Sequence, residues 1–210
     1  MGLGRIGLRP IKHFSKMEIR GDITGIIMAG GQNLRMGRNK AFIIWRGKRL
    51  LDWVYDAIRP LCTKIIISAN DENSSYPEAL VVPDRYQRIG PIAGIEAGLT
   101  HSNTEMNIIV SCDTPMLSTA FFRYMIKQHQ KFDISIPIHD GVNEPLIGIY
   151  NRSVLPRFQD AISRGLYKPP PIIKSCNFQE VPINQEMNFY QPDLFLNLNK
   201  PEDLKNISNK

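Results

Sequence analysis

Short apolar segments alternate along this chain with longer segments in which apolar residues recur at a helical spacing. The apolar segments are four to six residues long, rich in β-branched residues, and mostly continuous rather than alternating with polar positions. Such segments are typical of strands that are buried on both faces. They occupy residues 23–28, 64–67, 79–82, 106–110, 133–138 and 146–150.

Helices are predicted between these strands, at 50–60, 93–101, 118–130 and 151–165. In the first of them, Leu51, Val54, Tyr55 and Ile58 form one apolar stripe that can face a sheet. The alternation predicts a Rossmann-like α/β fold with three layers, α/β/α, and a mainly parallel sheet. No repeat or linker divides residues 17–210, so we predict one domain there, ending with a strand at 195–198, a polar turn and a closing helix.

The positive charge of the chain is concentrated at its N-terminus. Residues 1–16 carry four basic side chains and no acidic one, which leaves +2 of the net charge of +6 for the rest of the chain. This balance argues against a basic nucleic-acid groove. The leader lacks the apolar core of a secretory signal, so we predict a disordered N-terminal extension with Met17 as an alternative start.

Two further observations restrict the class of protein. No apolar run reaches the roughly 18 residues that span a bilayer, so no membrane segment is predicted. Cys62, Cys112 and Cys176 are widely spaced and form no CxxC pair, which argues against a disulfide scaffold or a structural zinc site. We therefore expect a protein of the reducing cytoplasm.

The loop after the first strand has the composition of a phosphate-binding loop. Gly30 and Gly31 allow the backbone N–H groups to approach an anion, and Arg35, Arg38 and Lys40 add positive charge. The spacing fits neither GxxxxGK[ST] nor GxGxxG. A surface turn with solvated basic side chains is the alternative.

Carboxylates follow two other predicted strands. Asp113 comes after the strand at 106–110, where the Thr114-Pro115 turn is expected to leave it exposed at the sheet edge as a ligand for Mg²⁺. An Asx-turn or a helix N-cap is the alternative role. Asp84 follows the strand at 79–82 and can meet a ligand, whereas Cys112 is expected to be a small buried residue.

The four histidines show no metal-ligand spacing and no nucleophile pattern. They are His13, His101, His129 and His139, and all are predicted to lie on the surface.

Several motifs together resemble those of a known enzyme family. The segment 24–31, then Arg35-Met36-Gly37 and Lys40, resembles the signature loop of nucleotidyltransferases that make activated sugars and cofactors. The finer pattern resembles the molybdenum cofactor guanylyltransferases over about residues 23–208. Its further motifs are Pro83-Asp84, the segment 90–94, the segment 112–115, Glu144-Pro145-Leu146 and the segment 197–204.

The resemblance implies a nucleotidyltransferase fold and a magnesium-dependent reaction, in which GTP and Mo-molybdopterin give Mo-molybdopterin guanine dinucleotide and pyrophosphate. It also implies transient contact with molybdenum cofactor insertion proteins, and no nucleic-acid or membrane partner. Arg35, Lys40 and Asp113 would be the catalytic residues, with Asp113 holding Mg²⁺. The residues implied to bind the nucleotide are Met28, Ala29, Gly30, Gly31, Lys40, Ser68, Asp84 and Asp113.

The chain departs from the family pattern at three places. Asn39 stands where an Asp often precedes the loop lysine, Ser68 stands where an Asn usually ends the second strand, and Tyr167-Lys168 replaces an expected Arg. Two alternatives therefore remain. One is another nucleotidyltransferase, such as a CTP-using molybdopterin cytidylyltransferase or a sugar-phosphate enzyme; the other is a nucleotide-binding regulatory module without turnover.

Overall fold

A computed structural model describes residues 22–30, 40–70 and 76–198. The predicted N-terminal extension and the closing helix lie outside the described residues. So do Gly31, Arg35, Arg38 and Asn39 of the predicted phosphate-binding loop.

Strands and helices alternate through most of the described chain. The strands are β1 Ile23–Met28, β2 Ile44–Trp45, β3 Lys48–Arg49, β4 Lys64–Ser68, β5 Leu80–Val82, β6 Met106–Ser111, β7 Ile134–His139, β8 Val142–Asn143, β9 Ile147–Asn151 and β10 Phe178–Pro182. The helices are α1 Leu50–Ile58, α2 Pro91–His101, α3 Thr119–Gln128, α4 Leu155–Ser163 and α5 Pro169–Lys174. Each of the six predicted strands and four predicted helices is present; β1 has the predicted ends, and the ends of the others are shifted.

The central sheet has the strand order β10-β7-β9-β6-β1-β4-β5. The pairs β1–β4, β1–β6, β4–β5 and β7–β10 are parallel, and β9 runs antiparallel to both β6 and β7. Strand β8 pairs antiparallel with β7, and β2 and β3 form a separate hairpin. The prediction of a mainly parallel sheet is confirmed.

Helices cover both faces of this sheet, so the predicted three layers are confirmed. Residues of α1 and α3 pack in one apolar cluster, and residues of α2, α4 and α5 pack in a second cluster on the opposite face. The stripe of Leu51, Val54, Tyr55 and Ile58 is buried in the first cluster, as its spacing predicts.

The prediction of a last strand at 195–198 is wrong. Phe195 packs edge-on against Phe121, with 5.7 Å between the ring centroids, and the Leu198 amide donates to the carbonyl of Asp113 rather than to a strand. This segment is apolar because it packs against α3 and the loop after β6. The parallel edge strand β10 was not predicted, because its polar residues interrupt the apolar pattern.

The prediction that all four histidines lie on the surface is wrong for His129. This residue is only 6% exposed, and both ring nitrogens are hydrogen-bonded, Nδ1 to Ser135 Oγ at 2.7 Å and Nε2 to Asn151 Oδ1 at 2.9 Å. Asn151 Oδ1 can only accept, so Nε2 carries the proton, and in the neutral ring Nδ1 accepts from the Ser135 hydroxyl. Burial lowers the pKa of His129, which favours this neutral form.

Candidate functional site

The carboxyl ends of four neighbouring strands bring the candidate residues to one edge of the sheet. Met28, the last residue of β1, pairs with Ser68 of β4 on one side and with Ser111 of β6 on the other. Ser68 in turn pairs with Val82, the last residue of β5. The loops that carry Gly30, Asp84 and Asp113 therefore leave the sheet together, at the edge where α/β sheets bind ligands.

Asp84 is held in a fixed position by the end of β4. Ser68 Oγ donates to Asp84 Oδ1, and Asn70 Nδ2 donates to Asp84 Oδ2 at 3.0 Å. The Asp84 amide donates back to Asn70 Oδ1 at 2.8 Å. No role was predicted for Asn70 from the sequence. Its position two residues after Ser68, where the family usually has an Asn, could have indicated this contact.

Gly30 lies directly against this carboxylate. A Cβ atom at Gly30 would lie 2.9 Å from Asp84 Oδ2, closer than side-chain carbons approach other atoms. The loop after β1 can therefore pass Asp84 only where a side chain is absent. Gly30 itself is exposed and can contact a ligand.

Met28 and Ala29, at the end of β1, form backbone hydrogen bonds to the ends of the two neighbouring strands. Both are buried, and the Met28 carbonyl accepts a hydrogen bond from the Cys112 amide at 3.1 Å. The Ala29 amide donates to the Ser68 carbonyl at 2.8 Å. Their side chains pack inside the protein, so contact with a nucleotide at these two positions stays a prediction.

Lys40 and Asp113 form an ion pair across the site. Lys40 Nζ lies 3.3 Å from Asp113 Oδ2, and the two side chains are 19% and 11% exposed. The expectation of an exposed carboxylate at position 113 is therefore wrong: Lys40 packs over Asp113, and the Leu198 amide binds its carbonyl at 2.9 Å. The N-cap alternative is wrong as well, because Ser118 caps α3 by accepting from the Phe121 amide.

The second carboxylate oxygen of Asp113 has no partner among the described residues. Oδ1 is buried and accepts no hydrogen bond there. A buried carboxylate oxygen without a donor is costly unless a cation or a donor reaches it. The described residues hold no group of three His, Cys, Asp or Glu side chains that could hold a metal ion, so among them Asp113 is the candidate ligand, and substrate oxygens and water are ligands that Mg²⁺ commonly takes besides.

Beyond Asp113, the hairpin of β7 and β8 forms the other side of the site. The His139 ring stacks on Phe195, with 4.7 Å between the centroids and 15° between the planes. Glu144 follows the hairpin and is half-buried. Burial raises the pKa of Glu144, with His139 acting in the opposite direction and Asp113 adding to the rise. Glu144 belongs to one of the motifs that carry the family resemblance, but no function was predicted for it.

The other candidate residues have simpler surroundings. Cys112 is buried, and burial raises the pKa of its thiol to about 12, so it is not a nucleophile and the prediction of a small buried residue is confirmed. Tyr167 and Lys168 are exposed in the connection between α4 and α5. Within the described part of the chain, no helix is long and apolar enough to cross a membrane.

The chain as a whole is similar to proteins of one family. The sequence profile of the MobA-like NTP transferase domain matches residues 25–175. A molybdenum cofactor guanylyltransferase of Vibrio vulnificus is 34% identical, over 85% of this chain and 91% of its own length. A probable molybdenum cofactor guanylyltransferase of Carboxydothermus hydrogenoformans is 29% identical, over 89% of this chain and 95% of its own length.

A solved structure shows the same fold. The crystal structure of molybdopterin-guanine dinucleotide biosynthesis protein A from Archaeoglobus fulgidus superposes with a TM-score of 0.74 and 26% identity, covering 89% of this chain and 97% of that one. The profile match and these relatives indicate the same family, and its fold has the sheet edge described above. This chain is a nucleotidyltransferase that belongs to the MobA-like NTP transferase family.

Proposed function

We propose that this chain transfers GMP from GTP to the terminal phosphate of Mo-molybdopterin, giving Mo-molybdopterin guanine dinucleotide and pyrophosphate. The names of its relatives support this choice of substrates. The observation that carries the proposal is the contact between Lys40 and Asp113. It joins a cation and a carboxylate 73 positions apart in the sequence, at the edge that also holds Gly30 and Asp84.

The chemistry requires positioning and charge neutralisation rather than a covalent enzyme intermediate. An oxygen of the acceptor's terminal phosphate attacks the α-phosphorus of GTP and forms the new P–O bond. The bond from that phosphorus to the α–β bridging oxygen breaks, and pyrophosphate leaves with the electron pair. Lys40 binds the phosphates and neutralises the charge that accumulates on the leaving group.

Asp113 suits a divalent cation at this place. Its Oδ1 atom is buried without a partner among the described residues, and its Oδ2 atom is bound by Lys40, which can transfer to the phosphates of an incoming nucleotide. Magnesium bound there would supply Lewis-acid stabilisation of the phosphoryl oxygens. Asp113 would hold the ion in place, and the Leu198 amide fixes the backbone of Asp113.

Asp84 supports guanine as the base. Ser68 and Asn70 each donate one hydrogen bond to the Asp84 carboxylate, which leaves acceptor capacity on both of its oxygens. Guanine presents two adjacent N–H donors on one edge, at N1 and at the exocyclic amine, and a carboxylate can accept both. The pairing edge of cytosine offers one donor beside two acceptors, and its acceptors would face the same negative charge.

The oxidation state of the cysteines bears on the cellular compartment. All three cysteines are free thiols, as in proteins of a reducing compartment, so we place the reaction in the cytoplasm.

Pyrophosphate release from each of four nucleoside triphosphates tests this function. The purified chain is mixed with Mg²⁺, Mo-molybdopterin and GTP, CTP, UTP or ATP in turn. We expect pyrophosphate and the guanine dinucleotide with GTP alone. Preference for CTP would identify a cytidylyltransferase, and tight GTP binding without pyrophosphate release would identify a module without turnover; either result contradicts the proposal.

Two matched variants test the role of the carboxylate. Asp113→Asn should lower the turnover rate by about 10³-fold, because the neutral amide no longer holds the cation. Asp160→Asn is the control, since Asp160 is an exposed residue of α4 whose carboxylate, among the described residues, pairs with exposed Arg164. Equal turnover of the two variants would remove Asp113 from the metal-binding role.

A further inference from the structure

Glu144 lies at the same sheet edge as Asp113, on the side away from Asp84. In the antiparallel pair β6–β9, Val110 is opposite Ile147. Asp113 follows Val110 by three positions and Glu144 precedes Ile147 by three, so both leave the sheet at the same end. Strands β4 and β5, which carry Ser68 and lead to Asp84, lie on the other side of β1.

The hairpin places Glu144 on the same face as His139. His139 is paired with Val142 across the β7–β8 hairpin, and paired residues project from the same face. Glu144 is two positions beyond Val142, and alternate residues also share a face. The electrostatic influence of both His139 and Asp113 on the pKa of Glu144 agrees with this placement.

Within the described part of the chain, the Glu144 carboxylate receives no hydrogen bond. It is half-buried, and no described residue donates to its side chain, whereas Asp84 at the opposite end of the site receives two donors. Two neighbouring groups influence its charge in opposite directions: His139, which stacks on Phe195, and Asp113, which repels it. A partly desolvated carboxylate in this position is stabilised by a ligand that brings N–H donors.

The charge of Glu144 restricts what that ligand can be. A carboxylate repels phosphate, so neither the triphosphate of the nucleotide nor the terminal phosphate of the acceptor is its partner. An uncharged ring with adjacent N–H groups fits, and the partly exposed ring of His139, which is backed by buried Phe195, suits a planar ring. The 2-amino-4-oxopyrimidine ring of a pterin has such donors, at a ring nitrogen and at the amino group.

We propose that Glu144 binds the 2-amino-4-oxopyrimidine ring of the acceptor, beside the stacked rings of His139 and Phe195, and thereby selects a pterin as the acceptor. The inference rests on the proposed function, because it assumes that the acceptor's phosphate lies at Asp113 and its rings extend away from the nucleotide. Asp84 and Glu144 then bind similar ring edges at the two ends of one site, guanine at Asp84 and pterin at Glu144.

Steady-state kinetics of Glu144→Gln test this assignment. The amide keeps the size of the side chain but loses the charge and replaces one acceptor by a donor. We expect the KM for Mo-molybdopterin to rise about tenfold or more, and the KM for GTP to stay within about twofold. Glu105→Gln is the matched control, because Glu105 is exposed and precedes β6 at the opposite edge of the sheet. It should change neither KM.

Two further measurements separate this inference from a structural role and from the proposed function. The thermal midpoint of Glu144→Gln should equal or exceed that of the wild type, since a half-buried charge is removed; a large decrease would indicate a structural role and overturn the inference. Binding of metal-free molybdopterin without any nucleotide, followed by isothermal titration calorimetry, should weaken in Glu144→Gln and not in Glu105→Gln.

The outcomes are distinct. Normal wild-type turnover with an unchanged acceptor KM in Glu144→Gln overturns the role of Glu144 and leaves the proposed function intact. A rise in the KM for GTP instead of the acceptor would assign Glu144 to the guanine and also overturn the inference. Loss of pterin binding in Glu144→Gln would support it even if the wild type used a nucleotide other than GTP.

Discussion

Replacing Gly98 by alanine should destabilise the protein through a single contact between α2 and the sheet. Gly98 is buried in α2, and a Cβ atom there would lie 2.2 Å from Ile26 Cγ2 and 3.1 Å from Ile26 Cδ1. Carbon atoms pack at about 3.5–4.0 Å. Ile26 is fully buried in the central strand β1. Either the helix moves away from the sheet by more than about 1 Å, or Ile26 leaves its preferred rotamer.

The expected loss is the difference between two effects. Overpacking of a filled core costs about 1–3 kcal/mol, and this approach is severe enough to place Gly98→Ala at the upper end. Alanine inside a helix gains about 1 kcal/mol over glycine. We therefore expect the free energy of unfolding to fall by about 2 kcal/mol, which lowers the thermal midpoint by roughly 4–8 °C in a chain of this size.

Gly94→Ala in the same helix is the matched control. Its Cβ would lie 3.1 Å from Ser68 Oγ and 3.2 Å from Met28 Cγ, so shifts of a few tenths of an ångström suffice. The gain in helix propensity is the same, and the net change should stay within about 0.5 kcal/mol. Urea unfolding followed by circular dichroism measures both variants. Equal stability of the two would refute the steric argument, as would an undiminished cost of Gly98→Ala in an Ile26→Ala background.

Three further predictions follow from individual side chains. Burial lowers the pKa of His129 in the folded protein, so the unfolded chain binds the proton more readily. The free energy of unfolding should therefore be highest above the ordinary histidine pKa of about 6.5, and should decrease as the pH falls below that value. The decrease should be about 1.4 kcal/mol for each unit by which the two pKa values differ. His129→Gln should lose this pH dependence, which is measured as the difference between the free energies of unfolding in urea at about pH 7.5 and about pH 5.5. An equal difference in the wild type and the variant would contradict the prediction. Lys40→Met removes the cation beside Asp113 and should tighten Mn²⁺ binding without nucleotide about tenfold, measured by electron paramagnetic resonance; an unchanged Kd would show that Lys40 does not compete with the metal. Cys176 is half-buried while the other two cysteines are buried, so iodoacetamide should modify it first in the native protein, and equal rates for all three thiols would be inconsistent with their burial.

Local sequence patterns were sufficient for the layered fold. The β-branched segments became the strands of the central sheet, and the apolar stripe of α1 packs against it, because continuous or periodic burial requires continuous or periodic apolar residues. The same reasoning failed at 195–198, where apolar residues pack against α3 without forming a strand. It also failed at His129, whose burial depends on partners in β7 and β9.

The sequence predicted which types of residue form the candidate site, but it predicted only part of how they contact one another. A glycine loop and two carboxylates after strands could be found in the sequence, since each belongs to a short segment with a recognisable composition. Other features of the site depend on strand order and register: Lys40 covers Asp113, and Ser68 and Asn70 hold Asp84. The same order brings Glu144 to the sheet edge that carries Asp113. Hydrophobic periodicity is a property of neighbouring residues and specifies which surfaces are buried. Contacts between residues far apart in the chain are set by how those surfaces pack, and only the tertiary structure decided them.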